Sequence, residues 1–521
     1  MDLAKISAPK CGSIRAPLVL HLTYRQVQKK HYETRHDLKN AVDIRGYYNF
    51  GERRVLNKKP NKHWEKIINY KKATIYLVKK TKPQILILIT MAFMVCSCES
   101  ILEVADNSEN PLTEELGLNR SNCISCSPTV SNQTLENQEL TFNTNHMLCI
   151  HLEMNASDFE QMRTESRFGP KRQQWATLWT GLILQANQCD VPYPSQFNWY
   201  VGNITIDGLS LDNVGVRKKG FLGSIFSDAP SIKISTNKYV RGQYVGRAAN
   251  ITLNNNAEDP TRLKTCLNTK VFELAGYPAP RCNLANVTIN SQPMGAYSHL
   301  ETIDQKFLQR QFGSDSGHLY EGQLVDFRED CLLRWERKTE QTNRLGQPLR
   351  AIAKVLDQVS DDQLIEELRP HLNIDRFIAF WALEIILDHN DGYTHSLNNF
   401  YVYFNPSDND RITFIPWGFN YFHDNDPTPP GEYTQALIPR RLSRIPEIAR
   451  QLENKLDFLL GQVWDETLLI SLIDNLALQV ETAEMSNEYT SDLNRLKAWI
   501  PKRRAEVELL IRNGLPQEAK N

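Results

Sequence analysis

The chain has almost no net charge, −1 from 60 basic and 61 acidic residues, and the motifs it lacks exclude more than that balance does. It has neither a G-x-x-x-x-G-K-[ST] loop nor a G-x-G-x-x-G loop, the glycine-rich covers of P-loop NTPases and ordinary protein kinases. Gly220-Phe221-Leu222-Gly223-Ser224 is too loose to serve as either. There is no H-E-x-x-H and no G-x-S-x-G, which removes zincin and α/β-hydrolase chemistry. Cys123 and Cys126 have metal or redox spacing, but no second Cys pair or His pair follows, so a zinc site is not expected. Two lone histidines, His395 and His423, make weak metal ligands by themselves. Long apolar runs are scarce as well. Ile85–Val95 falls short of the ~20 residues that a bilayer crossing needs.

The neutral total hides an asymmetry. Residues 1–82 carry 20 Lys and Arg against 6 Asp and Glu, and the remainder carries 40 against 55. An acidic main body argues against nucleic acid as a partner. The break between the halves reads as a bacterial lipoprotein signal over 78–97. Lys79-Lys80-Thr81-Lys82 is the basic region, Ile85–Val95 the apolar one, and Val95-Cys96-Ser97-Cys98 a lipobox with Cys98 as the acylated residue. A buried helix is the plainer alternative for the apolar run. The 77 residues ahead of Val78 form a basic extension, read either as a mis-assigned start or as a cytoplasmic arm. Residues 98–144, rich in Ser, Asn, Thr and Glu, read as a polar tether. The expected location is therefore outside the cytoplasm, on a membrane through the lipid.

From residue 145 a packed body begins. Strand-like runs occupy Leu148–Leu152, Trp199–Ile206, Val214–Arg217 and Ser231–Ile234, with Asp207-Gly208 as a turn. Thr261–Ala275 has helical periodicity, stopped by Gly276 and Pro278. Val287–Asn290 and Ala296–Leu300 look like a hairpin. Residues 351–388 and 434–515 are largely helical, with Pro501 expected to start the last helix. The fold class is α+β, a β-rich N-terminal lobe followed by a mostly helical C-terminal lobe, with a cleft between them as a natural nucleotide site. Export would permit disulfides. Chain reversal at Pro278–Pro280 could bring Cys266 and Cys282 within the ~4.4–6.8 Å Cα spacing of a bridge.

The densest stretch runs from Asn390 to Asn420. An apolar helix, Phe377–Leu387, delivers Asp391 into a loop. Two strands follow, Asn399–Phe404 and Arg411–Pro416, joined by a polar turn. Asp-Gly is also a common turn pair, so a capping Asp is the bland reading of Asp391. Arg217 and Lys219, two apart, share a face if they lie on a strand, and Lys233 follows on the next run. A solvated basic face is their bland reading, and a surface carboxylate is that of Glu301. Strand alternation would let only one of Asn398 and Asn399 face a site. Trp417 and Tyr393 either pack on a base or fill the core.

These residues resemble the spore-coat CotH family of atypical protein kinases. Gly215-Val216-Arg217-Lys218-Lys219-Gly220 is similar to its G-V-R-x-K-G element, and Pro230–Ile234 to K-P-S-F-K-I. Ala275-Gly276-Tyr277-Pro278-Ala279-Pro280-Arg281 is similar to A-G-V-P-A-P-R. Asn290–Tyr297 with Glu301 follows N-G-x-x-x-G-x-Y…E. Asp391-Gly392-Tyr393, the Asn-rich strand and Ile415-Pro416-Trp417-Gly418-Phe419-Asn420 complete the order. The family-like core covers 145–425, and 426–521 would be the helical remainder of the same domain. The resemblance implies an atypical kinase-like two-lobe fold that uses ATP with Mg²⁺ or Mn²⁺ to phosphorylate Ser or Thr on an exported or cell-envelope protein. In that scheme Asp391 is catalytic, and Asn398 or Asn399 together with Asn420 hold the metal. Arg217, Lys219, Lys233 and Trp417 hold the nucleotide, and Glu301 pairs with a lysine. Departures are Ser291 for Gly, Lys264 for Arg, and Asn420 for a metal-binding Asp. An amide holds Mg²⁺ less well than a carboxylate, which keeps a non-catalytic surface scaffold open as the alternative.

Overall fold

The computed structural model describes residues 142–165, 197–220, 227–246, 248–339, 347–419, 430–484 and 487–513, all within one compact unit, Glu115–Asn521. Cys98, the basic extension, the signal, Cys123, Cys126 and Asn420 lie outside the described residues.

The first half builds a closed barrel. Its strands are β1 (Leu148–Met154), β2 (Tyr200–Ile206), β3 (Leu209–Lys218), β4 (Ile232–Ser235), β5 (Asn250–Asn254), β6 (Cys282–Ile289) and β7 (Gln292–Leu300). They run in the order β1-β2-β3-β4-β5-β7-β6, and β6 closes the ring by pairing parallel to β1. Alternation explains the closure. Leu148, Ile150, Leu152, Val214, Val216, Ile232, Ile234, Ile251, Leu253, Val287 and Ile289 all point into one apolar core. The β6–β7 turn runs through Asn290 and Ser291, both at positive φ (49° and 64°). That is why the position of Ser291 suits a glycine.

Helix α1 (Ala156–Thr164) follows β1, and α2 (Lys264–Leu274) lies between β5 and β6. α2 starts later than its periodicity suggested, because Asp259 uses its carboxylate on the Thr261 and Lys264 amides. Its last turn closes through the Tyr277 amide, which donates to the Phe272 carbonyl at 2.9 Å, with Gly276 at φ 65°. The expected Cys266–Cys282 bridge is present, with Cα atoms 5.0 Å apart, and joins α2 to β6. Cys149 and Cys331 are also disulfide-bonded.

The second half has its own sheet. β8 (Leu319–Gly322), β9 (Glu336–Arg337), β10 (Phe400–Asn405) and β11 (Arg411–Pro416) take the order β11-β10-β8-β9. α3 (Gln305–Phe312) precedes it. α4 (Gln347–Gln358), α5 (Leu364–Leu368), α6 (Ile374–Ile386), α7 (Tyr393–Ser396), α8 (Leu437–Leu442), α9 (Pro446–Gln462), α10 (Glu466–Glu484) and α11 (Asn487–Asn513) supply the rest. Phe377, Phe380, Trp381, Leu456, Trp464, Leu496 and Trp499 belong to one large apolar core. The chain is thus mixed α+β, a barrel followed by helices around a small sheet.

Pro501 does not start the last helix. It lies inside α11, which runs through it. A proline in that place loses a backbone hydrogen bond, yet Trp499, Ile500, Arg503, Val507 and Leu510 are all buried on both sides of it. Trp464 donates its indole N–H to the Ile500 carbonyl at 3.2 Å. Packing carries the helix through a position where local propensity would break it.

Candidate active site

The apolar helix α6 ends where Asp388 takes φ 50°. Its last carbonyls, Ile385 and Ile386, accept from the buried Arg503 guanidinium, a cation placed where the helix dipole favours one. Asp388 accepts from the Tyr433 hydroxyl at 2.8 Å and lies 3.9 Å from Arg503. Through Oδ1 that carboxylate helps hold the helix end.

The loop beyond α6 hangs on two buried carboxylates. Glu384 accepts from the amides of Tyr393 (3.0 Å) and Thr394 (2.9 Å) and from the Thr394 hydroxyl. Burial pushes its carboxyl up to about 7, against the pull of those donors. Asp326 accepts from the Tyr393 hydroxyl (3.0 Å) and the Leu437 amide (2.7 Å). Tyr393 is fully buried among Phe327, Phe377, Phe400 and Phe414. It is therefore a core residue, not a surface for a base.

So anchored, the loop presents Asp391. Asn398 donates to Asp391 Oδ1 at 3.2 Å, and Asn399 to Oδ2 at 2.6 Å and to the Asp391 carbonyl at 3.1 Å. Both amides face the acid, not one. The reason is local. Leu397 and Asn399 both have positive φ (56° and 51°), and β10 begins only at Phe400. Alternation therefore does not govern this pair. Burial lifts the Asp391 carboxyl to about 6, with the two amides pulling it down.

Asn399 also ties the loop to the end of β11. Its carbonyl accepts from the Trp417 amide at 3.1 Å. Its side chain lies where a Cβ on Gly418 would stand, 2.3 Å from Asn399 Cγ, and Gly418 has φ 67°. The Trp417 carbonyl meets His389 Nε2 at 3.0 Å, and burial holds that imidazole down to about 3, so it is neutral at physiological pH.

The cations come from the barrel. Arg217 pairs directly across from Lys233 in the β3–β4 ladder. Lys218, on the opposite face, is wholly buried and donates to the carbonyls of Arg163 and Glu165 at 2.6 and 2.9 Å. Arg217 lies 4.8 Å over the Trp199 ring, and the Lys219 ammonium 5.7 Å over the Trp417 ring. Trp417 thus links the barrel cations to the Asp391 loop. Burial drops the Lys219 and Lys233 ammonium groups to about 8, and mutual repulsion within the cluster adds to this.

Glu301 does not join these lysines. It pairs with Arg281 at 3.0 Å and with Arg310, and accepts from the Arg281 amide at 3.1 Å. Its position at the exit of β7 turns it toward α3. The acid in the field of both Lys219 and Lys233 is Glu321 on β8, which also pairs with Lys338, and Asp304 acts more strongly on Lys233. Sequence reading passed over Glu321. A run of only four residues, Leu319–Gly322, offered too little alternation to mark a strand. Its usable signal was Gly322, where a Cβ would stand 2.2 Å from the Phe400 ring.

Oxygen donors of the kind a hard divalent ion takes are present, with the Asp391 carboxylate beside two carboxamides. Among the described residues no three His, Cys, Asp or Glu side chains are grouped as a metal site.

The barrel's cation cluster and the acid clamped by two asparagines thus meet at a tryptophan, Trp417. The family model "CotH kinase protein" matches residues 224–507, more than half of the sequence, and the chain belongs to that family. It is 22% identical over 184 residues to the inner spore coat protein H of Bacillus subtilis (strain 168), covering 33% of this chain and 49% of that protein. It is 23% identical over 191 residues to invasin CotH7 of Rhizopus delemar, covering 34% of this chain and 32% of the invasin. These matches span half or less of each relative. Among solved structures, the Shewanella oneidensis HipA–HipB–operator complex overlaps at 10% identity with a TM-score of 0.26, covering 58% of this chain and 65% of that one. That overlap is too slight to carry an argument.

Proposed function

We propose that this chain is an atypical kinase that moves the γ-phosphoryl group of ATP to a Ser or Thr hydroxyl of an exported or cell-envelope protein. The observation that carries the reading is the clamp on Asp391, joined through Trp417 to Lys219. Phosphoryl transfer needs positioning and charge neutralisation more than covalent chemistry. In this reading the barrel and the helical part are the two lobes. Arg217, Lys219 and Lys233 neutralise phosphate oxygens. Asp391 accepts the proton of the acceptor hydroxyl, whose oxygen bonds to the γ-phosphorus as the bond from that phosphorus to the β,γ-bridging oxygen breaks and ADP departs. Mg²⁺ or Mn²⁺, held by the carboxamide oxygens of Asn398 or Asn399 together with Asn420, would supply further neutralisation of the phosphates. Names of relatives, a spore-coat protein and an invasin, favour a surface location. The lipobox at Cys98 favours a membrane anchor.

One observation supports a second reading. Asn420 stands where the family pattern carries Asp, and the loss of that charge favours a non-catalytic scaffold that keeps the cleft. The test is thermal stabilisation of the full chain by ATP with Mg²⁺ or Mn²⁺, followed by transfer from labelled ATP. Asn420→Asp should increase metal-dependent ATP stabilisation, and Asp391→Ala should abolish transfer without unfolding the protein. Metal-independent ATP binding, unchanged in Asn420→Asp and with no transfer, would leave the scaffold reading alone.

A further inference from the structure

Beyond residue 82 the chain is acidic, 40 basic residues against 55 acidic, yet one projection on the barrel has the opposite character. The loop between β4 and β5 exposes Lys238, Tyr239, Val240, Arg241 and Tyr244, with Tyr239 46% and Tyr244 44% accessible. Exposed aromatics grouped with cations are the composition of binding surfaces, not of ordinary solvated loops. The projection is built. Beneath it the Thr236 hydroxyl donates to the Gln243 carbonyl at 2.7 Å, and Gln243 donates to the Asp212 carbonyl at 2.9 Å. Val245 is buried and bridges to Ala248.

Its exposed cations, Lys238 and Arg241, are joined by Lys306 at one flank. The Lys306 ammonium lies 5.2 Å over the Tyr244 ring. The neighbouring acid, Asp304, is occupied as the cap of α3, accepting from the Lys306 amide and from Asn250. Asp212 is the exposed acid beside the loop. The ridge also leads somewhere. The Lys238 ammonium lies 5.4 Å over the Trp199 ring, which Arg217 also covers, and Arg217 pairs with Lys233. A continuous line of side chains thus joins the loop to the phosphate-neutralising cluster.

We propose that this ridge binds an acidic segment of the phosphoryl-accepting protein and delivers its Ser or Thr toward Asp391. Opposite charge selects the segment, and Tyr239 and Tyr244 supply the apolar contact that surface charge pairs alone do not. An anionic membrane would use only the loop tip. The continuity through Trp199 to Arg217 favours a peptide, because it gives the bound segment a path to the site. That the ligand is an acceptor rests on the kinase reading, whereas its binding does not.

The test uses the full chain and two labelled peptides, one with a central Ser flanked by Asp and Glu and one flanked by Lys, read by fluorescence anisotropy. The acidic peptide should bind about tenfold more tightly, and Tyr239→Ala/Arg241→Glu/Tyr244→Ala should remove about tenfold or more of that affinity. The single Arg241→Glu variant repeats the test with the smallest disturbance, and thermal unfolding without ligand checks the fold of each. Equal binding of the two peptides, or variants that bind as the parent does, would overturn the proposal. So would sedimentation with phosphatidylglycerol vesicles that depends on these three residues while neither peptide binds. Ridge-dependent binding of the acidic peptide without its phosphorylation would sustain the surface and sink the kinase reading. Phosphorylation indifferent to the ridge would do the reverse.

Discussion

Gly392 offers the sharpest test of how the Asp391 loop is held. Its backbone, φ −85° and ψ −172°, is one that any residue adopts, so alanine would bring no dihedral strain. The cost lies in where a Cβ would go, 2.1 Å from Glu384 Oε1 and 2.6 Å from His389 Cδ2. An ordinary heavy-atom contact needs about 3.5 Å, so the carboxylate would have to retreat by more than ~1 Å. A surface glutamate would swing aside. Glu384 cannot do so cheaply, because it is fully buried and accepts from the Tyr393 and Thr394 amides. Overpacking costs about 1–3 kcal/mol, and a lost hydrogen bond to a charged group about 1.5–3 kcal/mol, which puts Gly392→Ala at roughly 3–5 kcal/mol. Urea denaturation of the full chain, followed by tryptophan fluorescence, measures this. A loss below ~1 kcal/mol would refute the argument, since it is smaller than either contribution alone. The clash also predicts non-additivity. In a Glu384→Ala background the carboxylate is gone, so Gly392→Ala should cost less there, with a coupling of ~1–3 kcal/mol. Strict additivity would mean that Glu384 is not the obstacle. In the proposed kinase reading, a variant that folds by shifting the loop instead should lose about 10²-fold in phosphoryl transfer, since ~1 Å of misplacement costs that much.

Three further residues carry expected outcomes. In the proposed kinase reading Asp391 must be ionised to act as a base, so transfer should rise with pH through about 6 and then level off, read from a pH–rate profile. Because its folded value lies above the ordinary 3.8, its ionisation destabilises the fold as pH rises from 3.8 to about 6, and Asp391→Asn should flatten that slope. Lys219 has the opposite sign of linkage. Its folded value of about 8 lies below the ordinary 10.5, so it adds stability as pH rises through that window. Lys219→Met should lose that rise and lose about tenfold or more in ATP affinity by titration calorimetry, without weakening the fold at pH 7. Ser291 at φ 64° should accept glycine with a gain of about 0.5–1 kcal/mol in thermal unfolding, because relief of the left-handed strain exceeds the added chain entropy.

Much of the fold was legible where one physical signal dominates. Alternation gave β1, β2 and part of β4, and β11 runs from Arg411 to Pro416, as the apolar run and its flanking turn suggested. The reversal at Pro278–Pro280 predicted the Cys266–Cys282 bridge because it depends on a local turn. What failed depended on distant partners. Glu301 follows the nine-residue β7 and Glu321 lies in the four-residue β8, and no spacing tells which one enters the field of Lys233. The difference is made by Arg281 and Arg310, which draw Glu301 away, and by β10, which carries β8 to the cation cluster. Pro501 misled for the same reason, since the face of α11 that carries the helix through it is defined only by what packs there. Tyr393 was ambiguous in sequence because an aromatic beside a polar loop has the same composition whether it touches a ligand or the core.

The two asparagines show why the site itself was half legible. A period of two is a property of extended backbone, and it lapses at any residue with positive φ. Leu397 and Asn399 are such residues, and the result is an acid gripped from both sides by neighbouring amides. Those amides act against burial. Without them the carboxyl would rise further. At about 6 it is ionised at neutral pH, and in the proposed kinase reading it stays basic enough to take a proton from a hydroxyl under attack. Gly418 completes the arrangement, because any side chain there would enter the space of Asn399 and loosen its hold on Asp391. The glycine between Trp417 and Phe419 therefore belongs to the same device as the acid 27 positions earlier in the sequence.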